Sequence, residues 1–135
     1  MQGKTILSDI DSKTASEVPP SKKGVARLVA ATKYSAAGLK AAFKSEEAFR
    51  LEVYVFIILA PLGLWLGDGG VEKLLLVGSV VQLMIVELLN TAIEVVINRI
   101  SPEFHPLSGR AKDIGSACVL ISIGMVVLTW SLVLL

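Results

Sequence analysis

The sequence predicts an all-α membrane protein, with three transmembrane helices preceded by an amphipathic helix in the membrane interface. Three observations predict it. Of 135 residues, 53% are hydrophobic and only 19% are charged, and the mean hydropathy is +0.69. A soluble chain of this size could not cover so much apolar surface. Three apolar segments have about the length a bilayer core requires. Basic residues crowd into stretches that belong on one side of a membrane. The same composition excludes disorder for most of the chain. A single cysteine, Cys118, excludes an intramolecular disulfide or a multi-cysteine zinc site, and the lone His105 excludes a His-rich metal cluster.

The elements follow in order. Residues 1–23 are polar, carry Pro19 and Pro20, and show no periodicity, which reads as a flexible tail outside the membrane domain of residues 24–135. No apolar run with a cleavage site follows Met1, so no secretory signal is expected. Over residues 24–43, Val25, Leu28, Val29, Leu39 and Phe43 fall within a helical sector of about 100°. Lys33, Lys40 and Lys44 flank that sector, while Arg27 and Tyr34 share the opposite face. This pattern suits a helix lying in a membrane interface with lysines at phosphate level. A soluble amphipathic helix would show it too. The spans are expected at about 51–67, 74–97 and 114–135. The first is short and contains Pro61, which should kink it. The third has 22 residues without a charge, roughly 33 Å as a helix.

Orientation follows from the loops. Nine of 13 Lys and Arg precede Leu51, and Arg99, Arg110 and Lys112 sit between the second and third spans. Lys73 alone marks the other connection. The positive loops belong inside, which puts the N-terminus in the cytoplasm and the C-terminus out. In so apolar a chain these charges are topology signals, and no nucleic-acid partner is expected.

The second span carries the chemistry. Glu87, Asn90, Glu94 and Asn98 stand at i, i+3, i+7 and i+11, within about 80° of one helical face. A carboxylate facing lipid costs several kcal/mol, so this stripe must face protein, water, metal or a polar headgroup. It could also serve as a polar seam holding a non-catalytic oligomer together. Two acidic and basic stretches meet Glu94 at the cytoplasmic boundary: KSEEAFR (residues 44–50) and SPEFHPLSGRAKD (residues 101–113). Carboxylates and cations gathered at a membrane surface suit a divalent metal with a polyphosphate. Each such residue, taken singly, also suits an interfacial anchor. No GxxxxGK[ST] loop and no Gly-rich or HRD-type kinase sequence occurs.

Taken together, MIVELLNTAIEVVINRI (residues 84–100), HPLSGRAKDIGSA (105–117), SEEAFR (45–50) and YSAAGLKAAF (34–43) closely resemble the bacterial integral-membrane diacylglycerol kinase family, from about Arg27 to the C-terminus. The resemblance implies a homotrimer in the bacterial inner membrane that transfers the γ-phosphate of MgATP to the free hydroxyl of diacylglycerol, giving phosphatidic acid. It implies that Glu87 is the general base, with Asn90 its polar neighbour, and that Glu46 and Glu94 are Mg²⁺ ligands. Nucleotide contacts would come from Glu103, Phe104, His105, Lys112 and Asp113, and from Arg27 and Tyr34 in the surface helix. Arg27, Ala48, Phe49, Arg50, Leu51, Glu52, Trp65, Glu87, Asn90 and Ser116 would meet the lipid acceptor. Two positions depart from the pattern. Asn98 stands where the family commonly has Asp, and Leu51 where it commonly has Gln. Undecaprenol kinase, the same chemistry on a long polyprenol, is the alternative within this group.

Overall fold

A computed structural model describes residues 23–100 and 102–135. The expected tail, apart from Lys23, lies outside the described residues. Among the described residues, four helices account for the regular structure: α1 (Val25–Ser45), α2 (Glu47–Leu66), α3 (Gly70–Ile100) and α4 (Pro106–Leu134). The described residues contain no strand. The chain divides into two units, residues 1–36 and 37–135.

In the first unit, α1 starts after Gly24, whose φ of 62° is open to a residue without a Cβ. Along this part of the helix Val25, Leu28, Val29 and Tyr34 are exposed. Thr32 turns its hydroxyl back to the Leu28 carbonyl at 3.0 Å, so it satisfies itself within the helix.

The second unit begins with the end of α1 and its turn into α2. Glu46 forms that elbow, in extended conformation at φ −106° and ψ 114°. The last carbonyls of a helix have no partner within it, and a cation there also complements the helix dipole. Arg50 supplies both needs, donating from one guanidinium nitrogen to the carbonyls of Phe43 at 3.0 Å and Lys44 at 2.9 Å. The Phe43 and Tyr54 rings meet edge to face at 6.2 Å.

α2 continues through Pro61, where the Ile57 carbonyl loses its usual donor. A tight turn follows at Asp68 and Gly69, the latter at φ 90°. Glu72 reaches back from the first turn of α3 and accepts the Asp68 amide at 2.7 Å, which satisfies a donor left free at the helix start. α3 packs against both α2 and α4. Its buried residues Leu76, Ser79, Val80, Leu83 and Glu87 recur at helical spacing and form one stripe. The three helices meet at Leu76. A Cβ on Gly63 of α2 would stand 3.0 Å from the Leu76 Cβ, tighter than most Cβ contacts, so glycine eases that approach. Trp130 of α4 donates its indole N–H to the Leu76 carbonyl at 3.1 Å.

α2, α3 and α4 are each long and apolar enough to cross a membrane, with mean hydropathies of 1.8, 1.9 and 2.4 over their best windows. The helices outrun the apolar stretches read from the sequence. α3 and α4 hold 31 and 29 residues, roughly 46 and 43 Å long. Hydropathy marks the part that suits lipid, whereas backbone hydrogen bonding carries the helix on into polar sequence such as PLSGRAKD. His105 caps the start of α4, its Nδ1 accepting the Leu107 amide at 3.1 Å, and Pro106 follows in the first turn, where no N–H is needed.

Candidate active site

Two stripes on α3 meet at Glu87. Toward the Gly70 end the packed face is mostly apolar, through Leu76, Val80 and Leu83; toward the Ile100 end the polar stripe runs through half-buried Asn90 and Glu94 to exposed Asn98. Glu87 itself is only 5% exposed. Three further carboxylates lie within electrostatic reach of it: Glu46 at the elbow, Glu52 on α2 and Glu94 one helical stretch beyond. Glu46 accepts the Ser45 hydroxyl at 3.1 Å. One carboxylate oxygen of Glu52 and the Asn90 amide oxygen are buried without a hydrogen-bond partner among the described residues. Buried polar atoms are seldom left so. With the Glu52 oxygen unfilled, the acidic cluster is suited to receive a proton, a hydroxyl donor or a cation.

Beyond this cluster, the α3–α4 connection shapes a hollow of about 560 Å³ lined by Ile97, Asn98, Pro102, Glu103, Phe104, His105, Ser108, Gly109 and Lys112. Lys112 is half-buried and donates to the Asn98 side-chain oxygen at 2.8 Å. That neutral partner holds the ammonium in place without cancelling its charge, so the charge stays available for an anion. Phe104 is 90% exposed and offers a free ring at the rim.

The residues singled out from the sequence thus fall into separate groups. Glu46, Glu52, Glu87, Asn90 and Glu94 gather around the buried end of the polar stripe. Glu103, Phe104, His105 and Lys112 line the hollow, while Asp113 is exposed beside it in sequence and is not among the lining residues. Phe49 is buried, Arg50 is engaged at the elbow, and Ala48, Leu51 and Ser116 are exposed. Trp65 is exposed near the far end of α2. Arg27 and Tyr34 are exposed on α1 in the first unit.

Among the described residues, no three His, Cys, Asp or Glu side chains converge closely enough to hold a metal ion by themselves. The donor set still fits Mg²⁺ of the kind that keeps water and phosphate ligands, for which one or two carboxylates suffice. Two features escaped the sequence reading. Asn98 gains its role from Lys112, fourteen residues away across a loop. Gly115 is buried against Asn90, whose side chain would overlap any Cβ placed there.

Fold and site together define a membrane-embedded helical protein with an acidic centre on the second half of α3. Comparison with known proteins identifies its kind. The prokaryotic diacylglycerol kinase family matches residues 33–134. The diacylglycerol kinase of Haemophilus influenzae is 50% identical over 107 residues, 79% of this chain and 91% of that protein. That of Escherichia coli K12 is 47% identical over 111 residues, 82% of this chain and 91% of its own length, and that of Pseudomonas aeruginosa is 42% identical over 112 residues, 83% and 91%. The chain belongs to the prokaryotic diacylglycerol kinase family.

Proposed function

We propose that this protein is an ATP-dependent lipid kinase that transfers the γ-phosphoryl group of ATP to the free hydroxyl of diacylglycerol, giving phosphatidic acid and ADP. Beyond family membership, the observation that carries this reading is the position of Glu87. It is a buried carboxylate where the packed face of α3 turns from apolar to polar. A lipid hydroxyl arriving at membrane depth and a nucleotide arriving from the loop side would both reach that point.

An alcohol attacks phosphorus poorly until a base takes its proton. In this reading Glu87 accepts that proton as the oxygen bonds to the γ-phosphorus and the bond to ADP breaks. Asn90 orients the hydroxyl beside it, and Lys112 offsets charge on the phosphate oxygens. Glu46 and Glu94 are the residues that would hold Mg²⁺ against the nucleotide, and their shared reach to Glu87 supports that assignment. When bound, the ion supplies charge neutralisation at the β- and γ-phosphates. Glu103, Phe104 and His105, on the rim of the hollow, are assigned to the rest of the nucleotide. The acceptor is assigned to Glu52 and the start of α2.

Assembly as a homotrimer in the bacterial inner membrane belongs to the same reading. The three helices long and apolar enough to cross a bilayer support the membrane part of that reading. The deciding experiment offers labelled ATP to the purified protein in lipid–detergent micelles containing diacylglycerol or undecaprenol. Label in phosphatidic acid is the expected result. Label only in the polyprenol would assign the other acceptor, and label in neither would overturn the kinase reading.

A further inference from the structure

We propose that Gly115 is a positioning residue for the reaction: the space left by its missing side chain seats the Asn90 amide against α4 and so fixes how that amide is presented beside Glu87. The proposal rests on the reading of Glu87 and Asn90 given above.

Three observations carry it. First, Gly115 is buried on α4, one of two buried residues on that helix, the other being Ser122. Second, a Cβ added there would overlap the Asn90 side chain, with Asn90 Oδ1 and Cγ the nearest atoms. The hydrogen that glycine carries in that direction therefore faces the amide oxygen, and Cα–H···O contacts of this kind recur where helices pack closely. Third, Asn90 Oδ1 is buried and has no conventional hydrogen-bond donor among the described residues. The oxygen is turned onto the α4 backbone, so the planar amide must direct its N–H₂ elsewhere. An amide has one oxygen and two N–H donors on opposite branches, so fixing one branch fixes the other. Asn90 stands one turn from both Glu87 and Glu94 on the same face of α3. Its donor orientation therefore matters to any hydroxyl or phosphate held there. Other glycines lack this relation: Gly38, Gly70 and Gly124 would meet nothing within 4 Å.

The test is a double-mutant cycle on the full chain in lipid–detergent micelles, comparing Gly115→Ala, Asn90→Ala and the combination. Turnover and KM for ATP are measured, with helicity and oligomeric state as controls. If Gly115 acts through Asn90, Gly115→Ala lowers kcat at least tenfold and leaves KM for ATP within about twofold. In the Asn90→Ala background the same change then costs nothing further, because coupled residues are not additive. Normal kcat in Gly115→Ala, or independent losses in the double variant, overturns the proposal. Should Gly115→Ala fail to fold, the double variant still decides. Recovery of fold on removing the Asn90 amide supports the overlap, and persistent misfolding refutes it. Full activity in Asn90→Ala would instead sink the underlying site assignment, a result distinct from an active Gly115→Ala beside an inactive Asn90→Ala.

Discussion

Glu87 is held in a place where a carboxylate is costly unless it serves a purpose, buried among helices and within reach of three other acidic groups. A seam that only joined helices would not need such crowding, since Gln bonds across a helix pair as well as Glu does. Glu87→Gln separates the two roles, keeping size and hydrogen bonding while removing proton acceptance. Turnover should fall by roughly 10²–10⁴-fold, the usual scale for a lost acid–base group, with assembly intact. An active Glu87→Gln enzyme would return the residue to structure. Glu46→Gln and Glu94→Gln should act differently, shifting the Mg²⁺ titration of activity to higher concentration with the fold unchanged; superimposable titrations would remove the metal assignment. The polar stripe behind these predictions was legible in the sequence because it repeats at helical spacing on one element. Gly115 was not, since its contribution is the absence of a Cβ opposite a residue on another helix. Asn98 became interpretable only when the loop brought Lys112 to it at 2.8 Å.

At the scale of elements, the elbow between α1 and α2 sets where Glu46 stands, and Arg50 closes it through two carbonyls of the last turn of α1. Hydrogen bonds from a charged group to otherwise free helix carbonyls are worth about 1–3 kcal/mol, less where solvent reaches them. Arg50→Ala should therefore lower the melting temperature and speed amide exchange at residues 43–46. A raised KM for diacylglycerol with unchanged melting would assign the guanidinium to the lipid instead. This division of labour was hidden in the string SEEAFR, where Arg50 reads equally as clamp or as ligand. The three apolar spans were the most legible feature, because length and hydropathy report directly what lipid tolerates. Helix ends were less so. α4 begins at Pro106 within a polar stretch, and its start depends on His105 capping the Leu107 amide, a signal the apolar pattern does not contain.

For the whole molecule, side of the membrane decides whether the site can work at all, since ATP is supplied from the cytoplasm. The reading requires the elbow and the α3–α4 connection to share the cytoplasmic side and the turn at Asp68 and Gly69 to face out. The charges agree: 12 of 13 basic residues lie before Leu51 or at Arg99, Arg110 and Lys112, leaving Lys73 near the other turn, and cytoplasmic loops hold the positive excess. Three helices that each crossed the bilayer, as their length and hydropathy allow, would place the two connections of the bundle on opposite faces. The native thiol is exposed, so the test starts from Cys118→Ser. Asp68→Cys and Phe104→Cys, both at exposed positions, are then treated in intact spheroplasts with a membrane-impermeant thiol reagent. Asp68→Cys should react at once and Phe104→Cys only after lysis. The reverse order would put the hollow around Lys112 on the face without nucleotide, and the kinase assignment of that hollow would fail with it.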